Sequence, residues 1–168
     1  FKLEMDYEDC YALTGAEVIQ KKTTGHEGEI LDIIIKKYKE LEDKFDFILV
    51  EGTDFSGEAA FVELDVNAIV AKNLGIPVIL VGSGKDKGLD ELVTNLHLAY
   101  DSFLDKEVKV LGIVANKVEE SQIDTVSKAL EDAVEEKIFI GVIPMIKSLN
   151  NPTIKEIVDN LKADILIG

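Results

Sequence analysis

Short runs of apolar, largely β-branched residues recur along the chain at a regular spacing, and this spacing limits the fold more than any other feature. The first four runs begin about 30 residues apart, the length of one β–α unit in a parallel sheet. Each run is almost continuously apolar, as expected for strands that helices cover on both faces. The five predicted strands are Phe45–Val50, Ile76–Val81, Val108–Val114, Ile138–Ile143 and Ile165–Ile167.

Helical periodicity fills the intervals between these runs. Apolar residues spaced i, i+3, i+4, i+7 from Leu89 to Phe103 predict one helix, and a similar pattern from Ile30 to Leu41 predicts another. Further helices are predicted at 60–74 and 121–135, and Thr24-x-x-Glu27 is a candidate capping box. Strands that alternate with helices predict an α/β fold: a three-layer, open, mostly parallel sheet with helices on both faces.

The length of 168 residues suits one domain. We expect residues 1–44 to form a helical lead-in and residues 45–168 to form the β/α units. The sequence begins at Phe1 in the middle of a pattern and ends on a strand-like run. We therefore expect a partial domain, cut from a longer protein.

The charge of the chain excludes several classes of partner. Its 33 acidic residues outnumber its 18 basic ones, all of them Lys, and give a net charge of −15. Such a surface repels nucleic acid and anionic membranes, and a chain without Arg supplies no arginine finger. The single cysteine closes no disulfide within the chain, and no apolar run reaches the length of a membrane span. These features predict a cytoplasmic protein with neither nucleic acid nor membrane as a partner.

Ligands of open parallel sheets bind beyond the carboxyl ends of the strands, so the residues at these ends are the candidate site. Glu51 and Gly52 follow the first predicted strand. A strand-end acid can hold Mg²⁺ directly or through water, and a glycine lets a ligand approach the backbone. Alternatively, Glu51 is acidic only because the chain meets water there.

The other strand ends carry weaker signals. Gly82-Ser-Gly-Lys85 is glycine-rich, but it lacks the G-x-x-x-x-G-K-[ST] spacing of a phosphate loop, so a flexible loop is the better interpretation. Asn116 and Lys117 follow the third strand, where an amide could pair with a purine edge or could simply lie in a solvated turn. Pro144, after the fourth strand, could line a base pocket or merely end the strand.

Two other reactive residue types do not form a site. His26 and His97 lie far apart in sequence without metal-ligand spacing, and His97 falls off the apolar stripe of its helix, so we expect it to be exposed. Cys10 has no activating neighbour in sequence and is predicted to be a small buried residue.

Several segments together resemble one family. They are Phe45-Asp-Phe-Ile-Leu-Val-Glu-Gly52, Asn67-Ala-Ile-Val-Ala-Lys-Asn-Leu-Gly75 with the following Ile76-Pro-Val-Ile-Leu-Val81, Leu111-Gly-Ile-Val-Ala-Asn-Lys117, Gly141-Val-Ile-Pro144 and Ala163-Asp-Ile-Leu-Ile167. Their order resembles the N-terminal domain of long-form bacterial phosphate acetyltransferases, which is similar to dethiobiotin synthetase and the cobyric acid synthases. The resemblance covers about residues 44–168.

The resemblance implies a P-loop NTPase-like fold in which Glu51, Gly52, Asn116, Lys117 and Pro144 border a nucleotide or other ligand, with Glu51 near a metal. It also implies that the first, central strand and the phosphate loop lie upstream of Phe1. We therefore expect no cofactor in this chain itself, although nucleotide and Mg²⁺ would belong to the intact domain.

The resemblance also implies a function. The chain would be a regulatory, non-catalytic part of a protein that interconverts acetyl-CoA plus phosphate with acetyl phosphate plus CoA. Its partners would be the C-terminal acyltransferase domain of the same protein and other copies of the chain, in a homo-oligomer. Two alternatives stay open: part of an ATP-dependent ligase like dethiobiotin synthetase or cobyric acid synthase, and a protein-interaction module.

Overall fold

The computed structural model describes residues 5–26, 28–53, 60–150, 158 and 160–162. Their main elements follow one another as α1 (Gly15–Thr23), α2 (Gly28–Glu42), α3 (Ala60–Leu74), β1 (Val78–Ser83), α4 (Leu89–Leu104), β2 (Val110–Val118), α5 (Ile123–Ala133) and β3 (Phe139–Pro144). Short 3-10 turns lie at Tyr7–Cys10, Glu120–Gln122 and Lys147–Asn150. The predicted strand Ile165–Ile167 and residue Glu27 of the candidate capping box lie outside the described residues.

The chain divides into two compact units. The first comprises Phe1–Val78 and Ala99–Val110, and the second comprises Ile79–Leu98 and Leu111–Gly168. β1, α4 and β2 each run across this division, so both units contain parts of these elements.

The first unit is mainly helical. Helix α1 begins at a capping box that the sequence analysis missed, in which Thr14 Oγ1 accepts from the Glu17 amide and Glu17 Oε2 accepts from the Thr14 amide. The backbone hydrogen bond from Thr14, and then the bond from its hydroxyl group, lower the pKa of Glu17. Helix α2 packs against α1 and α3. The buried apolar side chains of this unit are Leu64, Ala68, Ala71, Ala99, Tyr100, Phe103, Val108 and Val110.

Two ion pairs join α3 to the turn that follows α4. Lys106 pairs with Asp65, and Lys72 Nζ lies 2.9 Å from Glu107 Oε2. The hydrogen bond from Lys72 and its charge lower the pKa of Glu107. Because these side chains are largely exposed, water and salt screen the pairs, and they serve more to orient the turn than to stabilise the unit.

The second unit contains the sheet, whose strand order is β1-β2-β3. Strands β2 and β3 are parallel, with Gly112 opposite Phe139 and Val114 opposite Gly141. Helix α4 lies so close to β1 that a Cβ atom on Gly82 would come within 2.7 Å of Leu96 Cδ2, and α5 packs against β3. The core of the unit consists of Leu80, Leu92, Leu96, Ile113, Ala115, Val118, Val126 and Leu130.

The prediction of an α/β fold with a parallel sheet flanked by helices is confirmed. The three middle strands also form where predicted, each ending one to four residues later than expected. Strand β1 was expected to be covered by helices on both faces. Only one face is buried, because Leu80 is buried while Ile79 and Val81 are 58% and 54% exposed. The continuous apolar run therefore does not imply complete burial here.

The predicted strand Phe45–Val50 is wrong. None of its residues has strand structure, and Phe47 and Leu49 are 80% and 84% exposed. The physical reason is that a strand forms only where a neighbour accepts and donates backbone hydrogen bonds. Among the described residues, none provides such a ladder for this segment.

Candidate functional site

The predicted site residues fall into both compact units. Glu51 and Gly52 belong to the first unit, whereas Asn116, Lys117 and Pro144 belong to the second. Within the second unit the structure brings the latter three to the carboxyl ends of two adjacent parallel strands. Pro144 is opposite Val118, and the amide of Met145 donates to the Val118 carbonyl oxygen over 2.8 Å.

The strand end at Asn116 and Lys117 is a β-bulge. The register between β2 and β3 shifts between Ala115 and Val118, and Lys117 has a φ of 59°. A positive φ is strained for a lysine, and bulges of this kind re-aim side chains. Asn116 Oδ1 stabilises the bulge by accepting from the Lys117 amide over 2.8 Å. The sequence analysis placed this pair after the strand, whereas the structure places it inside the last residues of β2.

The loop after β1 is tied to the same bulge. The amide of Gly84 donates to the carbonyl oxygen of Asn116 over 2.7 Å, and the amide of Lys87 donates back to the Gly84 carbonyl oxygen over 3.3 Å. Asp86 lies between them with a φ of 58°. The loop is thus a hydrogen-bonded turn, and Lys85 and Lys117 are both exposed at this end of the sheet.

Glu51 and Gly52 lie in the irregular segment that replaces the first predicted strand. Glu51 is exposed, as its carboxylate must be to meet a ligand from solvent. The segment is held by Asn67 of α3, which contacts Thr53 through three hydrogen bonds of 2.8–3.1 Å. Sequence reasoning missed Asn67 as a site residue, although a weak helix former in the middle of an apolar helix is a usable signal.

The weaker candidates are placed differently from expectation. Cys10 is exposed, not buried, because the short turn that carries it has no buried residues, and its thiol lies 3.6 Å from the Asp6 carbonyl oxygen. His97 is half-buried, not exposed, because it lies in α4 beside the buried Leu96. Among the described residues, no group of three His, Cys, Asp or Glu side chains could hold a metal ion.

A parallel sheet flanked by helices, with polar side chains at the ends of adjacent strands, defines an open α/β domain of the kind that binds ligands at its strand ends. The chain belongs to the AAA domain family, whose match covers residues 1–153. This family assignment agrees with the resemblance to the N-terminal domain of phosphate acetyltransferases and to cobyric acid synthases.

Three individual proteins illustrate which relatives the chain is similar to. The chain is 37% identical over its whole length to a phosphate acetyltransferase of Nitratidesulfovibrio vulgaris, and 30% identical over its whole length to one of Synechocystis sp.. It spans 24% of the length of each. A cobyric acid synthase of Clostridium kluyveri is 34% identical over 69% of the chain, which spans 23% of that protein. No solved structure matches the chain.

None of the helices among the described residues combines the length and the apolar composition that crossing a bilayer requires.

Proposed function

We propose that the chain is a regulatory, non-catalytic module of a longer, cytoplasmic phosphate acetyltransferase. The observation that carries this proposal is the likeness to two phosphate acetyltransferases along the whole chain, combined with the small share of those proteins that the chain spans. Most of each relative lies outside the matched region, so acetyl transfer between CoA and phosphate is assigned to a separate C-terminal acyltransferase domain. Regulation is the role left for a folded α/β module that does not carry out this transfer.

The chemistry at the strand ends supports binding more than catalysis. Asn116 and Lys117 offer an amide and an ammonium group that could border a base, with Pro144 on the neighbouring strand. Glu51 is the candidate acid near a metal, and Gly52 the candidate for close backbone approach. The sequence contains no G-x-x-x-x-G-K-[ST] run to hold the β- and γ-phosphates of a nucleotide.

The second candidate function is an ATP-dependent ligase, which the likeness to cobyric acid synthase favours. The two candidates differ in what they require of nucleotide. A ligase must bind Mg-ATP and transfer its phosphoryl group, whereas a regulatory module need not use ATP at all.

We predict that the chain binds Mg-ATP weakly or not at all and hydrolyses none. The 168 residues contain no phosphate-loop run whose backbone amides would bind the phosphates, and their net charge of −15 repels these groups. Isothermal titration calorimetry with Mg-ATP should give a dissociation constant above about 1 mM. Micromolar binding that is lost in Lys117→Ala but kept in Lys128→Ala would overturn this prediction and favour the ligase.

We also predict that the chain forms homo-oligomers. Ile79 and Val81 leave an apolar face exposed on β1, which is at the edge of the described sheet, and edge strands readily pair with another chain. In sedimentation velocity the mass should rise above 18.5 kDa with concentration, and more steeply at high salt because salt screens the repulsion between acidic chains.

The matched variants for this experiment are Val81→Lys and Leu98→Lys. Val81→Lys puts a charge on the exposed face of β1 and should reduce association, whereas Leu98→Lys, at an exposed position of α4, should leave it unchanged. A mass that stays monomeric at every concentration and salt level would contradict the prediction.

A further inference from the structure

The segment that carries Glu51 is attached to α3 by one side chain. Asn67 Oδ1 accepts from the Thr53 amide over 3.0 Å and from the Thr53 hydroxyl over 3.1 Å, and Asn67 Nδ2 donates to the Thr53 carbonyl oxygen over 2.8 Å. Both backbone groups of Thr53 are therefore satisfied by a single amide. An antiparallel strand would offer the same pair of groups, one carbonyl oxygen and one N–H, to a residue opposite it.

The geometry points to Asn67 as a positioning residue that takes the place of a strand neighbour for Thr53 and so fixes the segment that presents Glu51. We call Asn67, Gly52 and Thr53 together the Asn67 clamp. This inference goes beyond the proposed function and does not depend on it, because it concerns how the segment is held and not which ligand Glu51 meets.

Gly52 has a specific part in the clamp. A Cβ atom at this position would lie 3.0 Å from both Cγ and Oδ1 of Asn67 and 3.1 Å from Nδ2. These distances are tighter than most real Cβ contacts, so a side chain at position 52 would require the Asn67 amide to move by a few tenths of an ångström. The clamp therefore gives Gly52 a packing role, and this role is separate from its place as a candidate for close approach of a ligand.

The position of Asn67 in its helix supports the same conclusion. It lies in the middle of α3, where asparagine is a weaker helix former than the alanine and leucine residues around it. Asn73 of the same helix shows the contrast, because its Nδ2 donates to the Ile69 carbonyl oxygen of its own helix, over 2.8 Å. One asparagine thus bonds to its own helix, whereas the other holds a separate segment.

Hydrogen–deuterium exchange of the 168-residue chain tests the clamp. In Asn67→Ala the backbone amide of Thr53 should exchange about tenfold faster, because it loses its acceptor. Asn73→Ala is the matched control and should leave this exchange unchanged. Thr53→Val removes only the bond from the Thr53 hydroxyl and should keep most of the protection. This variant separates the two bonds that Asn67 makes to the Thr53 backbone from the bond to its side chain.

Gly52→Ala tests the same contact by placing a methyl group against the Asn67 amide. It should accelerate the exchange of the Thr53 amide by no more than Asn67→Ala does, and the double variant should exchange no faster than Asn67→Ala, since both changes act on the same clamp. Circular dichroism and the exchange of the core of β2 monitor the fold of every variant. The inference is overturned if Asn67→Ala leaves the Thr53 amide protected, if it accelerates exchange equally throughout the chain, or if the two changes add.

Discussion

Replacing Leu96 by alanine is expected to lower the free energy of unfolding by about 2–5 kcal/mol, the range for leucine-to-alanine changes in a close-packed core. Leu96 is 1% exposed and packs against Gly82 of β1. Gly82 has no side chain that could move into the space, so the lost methyl groups should leave a cavity where α4 meets the sheet. Since domains of this size are stable by only about 5–15 kcal/mol, a loss of this size is large.

Leu98 of the same helix provides the control for this experiment. It is 44% exposed, so Leu98→Ala removes the same atoms from a surface position and should cost about 0.5 kcal/mol or less. Urea unfolding followed by circular dichroism measures both changes, and an unchanged slope would show that only stability differs. Equal losses at the two positions would show that α4 does not pack on the sheet as described.

Much of the fold could be predicted from the sequence because local pattern and tertiary environment agree. Helix α4 keeps a strict apolar stripe, and Leu92, Leu96 and Phe103 on it are buried as the periodicity requires. Strands β2 and β3 are apolar runs that do pair with each other. For α4 the hydrophobic pattern alone indicates which residues lie inside, whereas β3 pairs as predicted although Phe139 and Ile143 are exposed.

The segment at Phe45–Val50 shows where such a pattern fails. Its composition is typical of a strand, but strand formation depends on a neighbouring strand that local sequence does not reveal. The same limit applies to β1, where Ile79 and Val81 are as apolar as a buried strand requires and yet are exposed. Strand propensity shows that a segment can form a strand, but the segment does so only where a neighbouring strand pairs with it.

The candidate site was predictable in position but not in geometry. The rule that ligands bind at strand ends directs attention to Asn116, Lys117 and Pro144, and the structure brings these residues to adjacent strand ends. The bulge at Lys117 and its positive φ depend on how β2 registers with β3. The contact between Asn67 and Thr53 joins residues that are 14 positions apart, so spacing within either segment could not reveal it.

The second large effect expected concerns the longer phosphate acetyltransferase of which we propose this chain is a part. If the chain is regulatory, removing residues 1–168 should leave acetyl transfer in the remaining protein and should change its response to substrate concentration. Coupling between separate sites is typically worth about 1–3 kcal/mol, so the half-saturating concentrations of acetyl-CoA or phosphate should shift by about 5–150-fold. The turnover number should change much less, since the reacting groups are assigned to the remaining part.

Comparing three forms of the protein shows which part causes this effect. They are the full-length protein, the protein without residues 1–168, and the 168-residue chain alone. Circular dichroism of each form establishes that it is folded. Adding the separate chain back to the shortened protein should restore the original response if the two parts bind each other, and this arm identifies the C-terminal acyltransferase domain as a partner.

The most direct measurement is therefore the steady-state rate of acetyl phosphate formation from acetyl-CoA and phosphate by these three forms. A regulatory module predicts no transfer by the chain alone, retained turnover in the shortened protein, and half-saturating concentrations that shift when residues 1–168 are removed. Transfer by the chain alone, or a shortened protein that is folded but transfers no acetyl group, would contradict the account.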